Sequence, residues 1–131
     1  PTDEVLALAS SHVVVTGTVP DVRPYLQHAA LVVAPLRVAR GLQNKILEAM
    51  AMARPVIASK SCVDALTVQR DSEIFSAESA QDFITQIGEL LQAPEHLTSV
   101  GVAGRRCVLR HYSWNAHLAA IDPYLKQTAT A

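Results

Sequence analysis

Short apolar runs rich in β-branched residues recur along this 131-residue chain, each set apart from the next by a stretch of helical character. Residues 13–16 read VVVT, residues 31–34 read LVVA and residues 56–59 read VIAS. Runs of this length with no polar alternation predict strands buried on both faces. Strands of that kind, alternating with helices, imply an α/β fold: a parallel sheet between two helical layers, joined by right-handed crossovers. At this length the chain is expected to form one domain over 1–131.

Punctuation along the chain fits that plan. Thr2 is a natural N-cap for a helix over residues 3–10, and Gly17 ends the first strand. Pro20 and Asp21 open a helix that runs to about His28. Pro35 stops the second strand, and a loop follows over residues 36–42. The clearest helix covers residues 44–53, with Ile46, Leu47 and Met50 facing inward and Lys45 and Glu48 on another side. Pro55 starts the third strand. The pattern is weak over residues 60–72, and a short fourth strand is predicted over 74–76. Helices are expected over 79–92, 94–110 and 114–121, the last capped by Ser113, with a break at Pro123.

Composition narrows the function. Apolar residues make up 50% and aromatics only 5%, which favours tight helix-on-sheet packing over disorder. Eleven Lys and Arg against twelve Asp and Glu exclude a nucleic-acid binder held by bulk positive charge. Cys62 and Cys107 have neither metal nor redox spacing and read as reduced, buried thiols, suited to the cytoplasm. No apolar stretch reaches the ~18 residues of a membrane span. Arg105, Arg106 and Arg110 suit a helix carboxyl end, with contact to an anionic membrane surface as the lesser reading.

Chemistry in an open parallel sheet belongs at the carboxyl ends of the strands. Three segments are expected to meet there: Gly17-Thr18-Val19, the loop from Pro35 to Asn44, and Ser59-Lys60-Ser61. In the second, Gly41 permits close backbone approach just before a helix whose amino end favours phosphate. Lys45 adds a positive charge in the first turn, and Glu48, one turn on, is a candidate acceptor for ribose hydroxyls. On spacing alone a solvated helix face is the simpler explanation of Lys45 and Glu48. No histidine sits in a catalytic pattern, and no metal-ligand spacing is present, so no catalytic residue and no metal are assigned.

The block LVVAPLRVARGLQNKILEAMAMARPVIAS resembles the nucleotide-sugar segment of retaining family-4 glycosyltransferases of the GT-B fold, particularly those associated with bacterial exosortase/PEP-CTERM and exopolysaccharide systems. VVVTGTVPDVRPYLQHA resembles the preceding strand, turn and helix, and YSWNAH the entry to the last helix. The resemblance implies the C-terminal, Rossmann-like half of such an enzyme. That half holds a nucleoside-diphosphate sugar, and a separate N-terminal domain holds the acceptor. Glu48 then matches the second glutamate of the family's E-x7-E motif, the ribose ligand. Arg40 stands where the first glutamate falls, a departure that substitutes a phosphate-compatible guanidinium for a carboxylate. Gly41 and Leu42 match the loop over the diphosphate, and Gly17, Thr18 and Val19 the turn bordering the nucleobase. No cofactor or metal is implied.

The resemblance also implies that two strands belong between those at 13–16 and 31–34. Without them, either these two segments pair directly or an apolar edge stays open, and an open edge predicts a homodimer or strand-swapped pair. Two other classes fit the sequence less well. A non-catalytic receiver-like or flavodoxin-like module requires an acidic cluster after its first strand, where this chain has Gly17, and a phospho-acceptor Asp after a later one, where Pro35 follows. A dinucleotide enzyme requires a Gly-rich fingerprint between strand and helix, which is absent. A degenerate glycosyltransferase domain remains open because of Arg40.

Overall fold

Alternation along the strands decides which side chain enters which core. The computed structural model describes residues 1–38 and 41–115. Three strands, β1 (Val32–Ala34), β2 (Val56–Ser59) and β3 (Phe75–Ala77), form one parallel sheet in that order. Val32 lies opposite Val56, and Ile57 opposite Phe75. On β2 the side chains divide: Val56 and Ala58 enter one apolar cluster with Ile46, Met50, Val63 and Ile74, while Ile57 enters another with Phe75, Phe83 and Leu90. A central strand apolar on both faces is the parallel-sheet arrangement expected from its sequence.

Helices flank the sheet, although the first of them, α1 (Asp3–Leu6), buries no residue. It is followed by α2 (Arg23–His28) and α3 (Asn44–Ala51). After β2 come α4 (Lys60–Asp64), then α5 (Ala80–Leu91) and α6 (Pro94–His111). Ile46, Ala49 and Met50 are buried on α3, while Lys45 and Glu48 are exposed, as the helical period requires. The helix stops at Ala53, which adopts φ 55°. There the Ala53 N–H donates to Met50 O at 2.9 Å and the Arg54 N–H to Ala49 O at 3.0 Å. These two bonds form a Schellman turn, with alanine in the position where glycine is usual. Arg105 of α6 donates a further hydrogen bond to the carbonyl of Ala51.

Helix α6 joins both layers. Leu97 and Val100 enter the second cluster and Val108 the first. Between them, Gly101 and Gly104 pass the backbone just ahead of β2 and β3. A Cβ at Gly101 would lie 2.3 Å from Ala53 O, and one at Gly104 2.8 Å from Glu73 O. Only a residue without a side chain fits such a crossing. Near the end of α6, Cys107 Sγ donates to Thr67 O at 3.2 Å and Tyr112 Oη accepts from the Thr67 N–H at 2.6 Å. Both cysteines are buried and free, as their sequence context predicted. Burial first, then the neighbouring Glu73, pushes the Cys107 thiol up to about 11.

Several boundaries differ from expectation. Residues 13–16 form no strand: Val14 is 83% exposed, and this stretch borders no ladder. A β-branched run becomes a strand only when a partner satisfies its backbone, and β1 remains an edge. None of residues 1–33 is buried, so the amino-terminal segment contributes little to the core. Helix α1 stops at Leu6 rather than at residue 10, since Val5, Leu6 and Leu8 find no apolar surface to cover. The weak stretch after β2 contains α4, and β3 begins one residue later than predicted, Ile74 making only an isolated bridge to Arg70. Trp114 is 82% exposed. The helix predicted over 114–121 and the break at Pro123 fall largely outside the described residues.

Candidate functional site

The carboxyl ends of all three strands open into one cleft of about 750 Å³. Its walls are the residues that leave each strand: Pro35, Leu36 and Arg37 after β1, Ser59, Lys60 and Ser61 at the end of β2, and Glu78, Ser79 and Ala80 after β3. Asp64 and Phe83 complete it. Ser59 Oγ donates to Ala34 O at 3.4 Å and ties two of these exits together.

Charge at this end is organised around Asp64. Its carboxylate accepts from Lys60, one helical turn before it, and from Arg70. The hydrogen bond from Lys60, ahead of the field of Arg70, holds the Asp64 carboxyl below the usual carboxylate range. Arg37 is exposed and joins none of the ion pairs among the described residues. On the opposite wall Ser79 caps α5: its Oγ accepts from the Asp82 N–H at 3.1 Å, and Asp82 accepts from the Ser79 N–H at 2.9 Å. The Ser79 hydroxyl, and after it the backbone N–H of Ser79, hold the Asp82 carboxyl below its ordinary value.

A second, smaller hollow of about 260 Å³ lies across the Pro35–Leu36 ridge, against the open edge of β1. Lys45 and Glu48 line it together, with Val22, Leu26 and Ile46 beneath. Glu48 also borders a neighbouring hollow of about 460 Å³ beside Asp21 and Arg23. Helix α3 starts at this hollow, and its N-cap residue Gln43 makes no side-chain cap bond. Just upstream, Gly41 has φ 66°, a backbone sign that side chains resist, although a Cβ there would touch nothing within 4 Å. Leu42 is 49% exposed beside it.

The structure therefore brings Lys45 and Glu48 together and sets the Gly41–Leu42 loop just ahead of them in the chain. Ser59, Lys60 and Ser61 meet Pro35, Leu36 and Arg37 in the larger cleft, so two of the three segments expected at the strand ends come together there. Gly17, with φ 64°, and its neighbours Thr18 and Val19 belong to the amino-terminal segment and line neither hollow. Arg40 lies outside the described residues. Asp64 and Glu78 carried no signal of a site in the sequence, because only the parallel strand ends bring them beside the 35–37 loop. Among the described residues, no group of three or more His, Cys, Asp and Glu is placed to hold a metal ion, and no helix is long and apolar enough to cross a membrane.

Comparison with known proteins adds the family. The model of the glycosyl transferases group 1 family matches residues 1–93, a span that includes β1, the Gly41 loop, α3, β2 and the cleft. No curated protein matches the chain. With more than half its length matched, and with a three-stranded parallel α/β sheet consistent with part of a Rossmann-like domain, the chain belongs to the group 1 glycosyl transferases.

Proposed function

We propose that this chain is the donor-binding part of a retaining glycosyltransferase, one that moves a sugar from a nucleoside diphosphate to a polysaccharide or lipid-linked acceptor. The observation that carries the reading is the family match across the Gly41 loop and α3, where Lys45 and Glu48 face one hollow at the sheet's edge. In this reading Glu48 accepts hydrogen bonds from the ribose hydroxyls. Lys45, Arg40 and the backbone of Gly41 and Leu42 meet the diphosphate, while Gly17, Thr18 and Val19, which line neither hollow, are assigned to the base by the sequence resemblance alone. Binding energy from the nucleotide fixes the anomeric carbon before an acceptor held by an N-terminal domain. Helix N–H groups and cations stabilise the departing diphosphate, with no resident metal or cofactor invoked.

The sequence's likeness to exosortase-associated transferases supports a bacterial role in exopolysaccharide assembly, on the cytoplasmic side and in contact with the membrane. The uncovered edge of β1, where Val33 is 43% exposed, supports self-association, which sedimentation equilibrium tests directly. Titration calorimetry with a panel of nucleoside diphosphates tests the donor reading. The expected result is weak, sub-millimolar binding to this chain; micromolar binding of NAD or a flavin contradicts it. Arg40→Glu probes the motif: unchanged donor affinity and turnover in the complete enzyme would put residue 40 outside the site.

A further inference from the structure

Helix α6 has two sides, and only one of them serves the core. Leu97, Val100, Cys107 and Val108 turn inward and are buried. On the opposite side Val102, Arg106 and Leu109 follow at the four- and three-residue steps that align side chains along one helix face. Arg105 and Arg110 flank that row, and all five residues are exposed. Leu109 is exposed to 56%, and Trp114, three residues past the helix, to 82%.

Charge on this helix is one-sided. Its acid, Glu95, lies in the first turn, while the three arginines crowd the last two turns. None of them joins an ion pair among the described residues. Arg105 donates to the carbonyl of Ala51, a neutral partner that leaves its charge unanswered. Arg110 acts on the Cys107 thiol together with the Glu73 carboxylate, so part of its charge is met there. Arg106 stands further round the helix, between Val102 and Leu109. The chain as a whole carries a net charge of -1, so this positive face is local. The helix dipole explains cations at a carboxyl end, but it does not explain apolar side chains exposed among them.

A nucleic acid would answer the arginines and leave Val102 and Leu109 without an apolar partner. A bilayer surface with anionic headgroups offers negative charge and an apolar layer together. Tryptophan is at home at that boundary. We propose that this face of α6 is where the chain rests on an anionic membrane, with the arginines at headgroup phosphates and Leu109 and Trp114 in the interfacial layer. The inference rests on the membrane contact in the proposed function and gives it a face; it is independent of the donor site on α3.

Trp114 is the chain's single tryptophan, so its emission reports the contact. The probes are vesicles of phosphatidylcholine alone and vesicles with about 30% phosphatidylserine added to supply negative charge. The 131-residue chain is expected to sediment with the anionic vesicles, with a blue shift of Trp114 emission, and to be released as salt rises. Arg106→Gln should weaken binding about fivefold, the usual share of one arginine near an anionic surface. Leu109→Ser should weaken it without changing its salt dependence. Both positions are exposed, so circular dichroism should show both variants folded, and calorimetry should show the parent's affinity for nucleoside diphosphate. Binding to anionic vesicles that neither substitution weakens would overturn the assignment to α6 while the membrane contact itself stands. Absence of binding, or equal binding to neutral vesicles, would overturn both. A single-stranded oligonucleotide bound as tightly as the anionic vesicles would overturn the lipid assignment.

Discussion

The two ends of the sheet are built from opposite materials. At the amino ends of β2 and β3, α6 lies so close that Gly101 and Gly104 would drive a Cβ into the carbonyls of Ala53 and Glu73. At the carboxyl ends the strands give way to Arg37, Lys60 and Glu78 around open space. One end is backbone against backbone; the other is charge against solvent. Dense contact at the first fixes the strand exits that shape the second. A change at the amino end should therefore act on stability, and a change at the carboxyl end on binding.

The largest expected effect breaks the closed end. Gly101→Ala puts a methyl group against backbone that cannot rotate away, so destabilisation of about 3 kcal/mol is expected, at the upper end of overpacking costs. Gly104→Ala should cost less, since its nearest contact is longer and Met50 at 3.4 Å can adjust. Urea denaturation monitored by circular dichroism measures both. If Gly101→Ala were neutral, α6 would not pack as described.

Next come the caps. Ser79→Ala removes the hydroxyl that receives the Asp82 N–H, a change typically worth about 1 kcal/mol. The same box sets a pH dependence. The folded Asp82 carboxyl is held below its unfolded value, so its contribution is fully present above the ordinary carboxylate pKa and fades as pH falls through the lowered one. Denaturation midpoints between neutral and acid pH should converge for Ser79→Ala and the parent chain. Ala53→Gly works in the opposite direction: relief of the left-handed backbone should stabilise by about 0.5–1 kcal/mol, raising the melting temperature.

What the sequence made legible follows from where each signal resides. Helix α3 was readable because its period and Pro55 are local, and β2 because its run is apolar on both faces. The run at 13–16 looked equally strand-like, yet whether it pairs depends on a neighbour that its own residues do not encode. Lys45 and Glu48 were readable as a pair because three residues along a helix make one face. Asp64 and Glu78 were not readable as cleft residues, since only parallel register brings residues so distant in sequence to one cleft. Gly101 and Gly104 read simply as helix residues until the strands they cross were in place.

The smallest stability effect tests the central claim. Glu48 is exposed on α3, and its side chain joins none of the ion pairs among the described residues. Glu48→Ala should therefore shift stability by less than about 0.5 kcal/mol, as surface substitutions usually do. The decisive measurement is calorimetric titration of the parent chain, Glu48→Ala and Gly104→Ala with the nucleoside diphosphate that binds best, each variant also being melted. The account predicts that Glu48→Ala keeps its melting temperature and loses nucleotide binding, while Gly104→Ala melts earlier and binds as the parent does below its transition. A Glu48→Ala chain that melts early but binds normally would contradict it, making Glu48 a structural residue and removing it from the donor site.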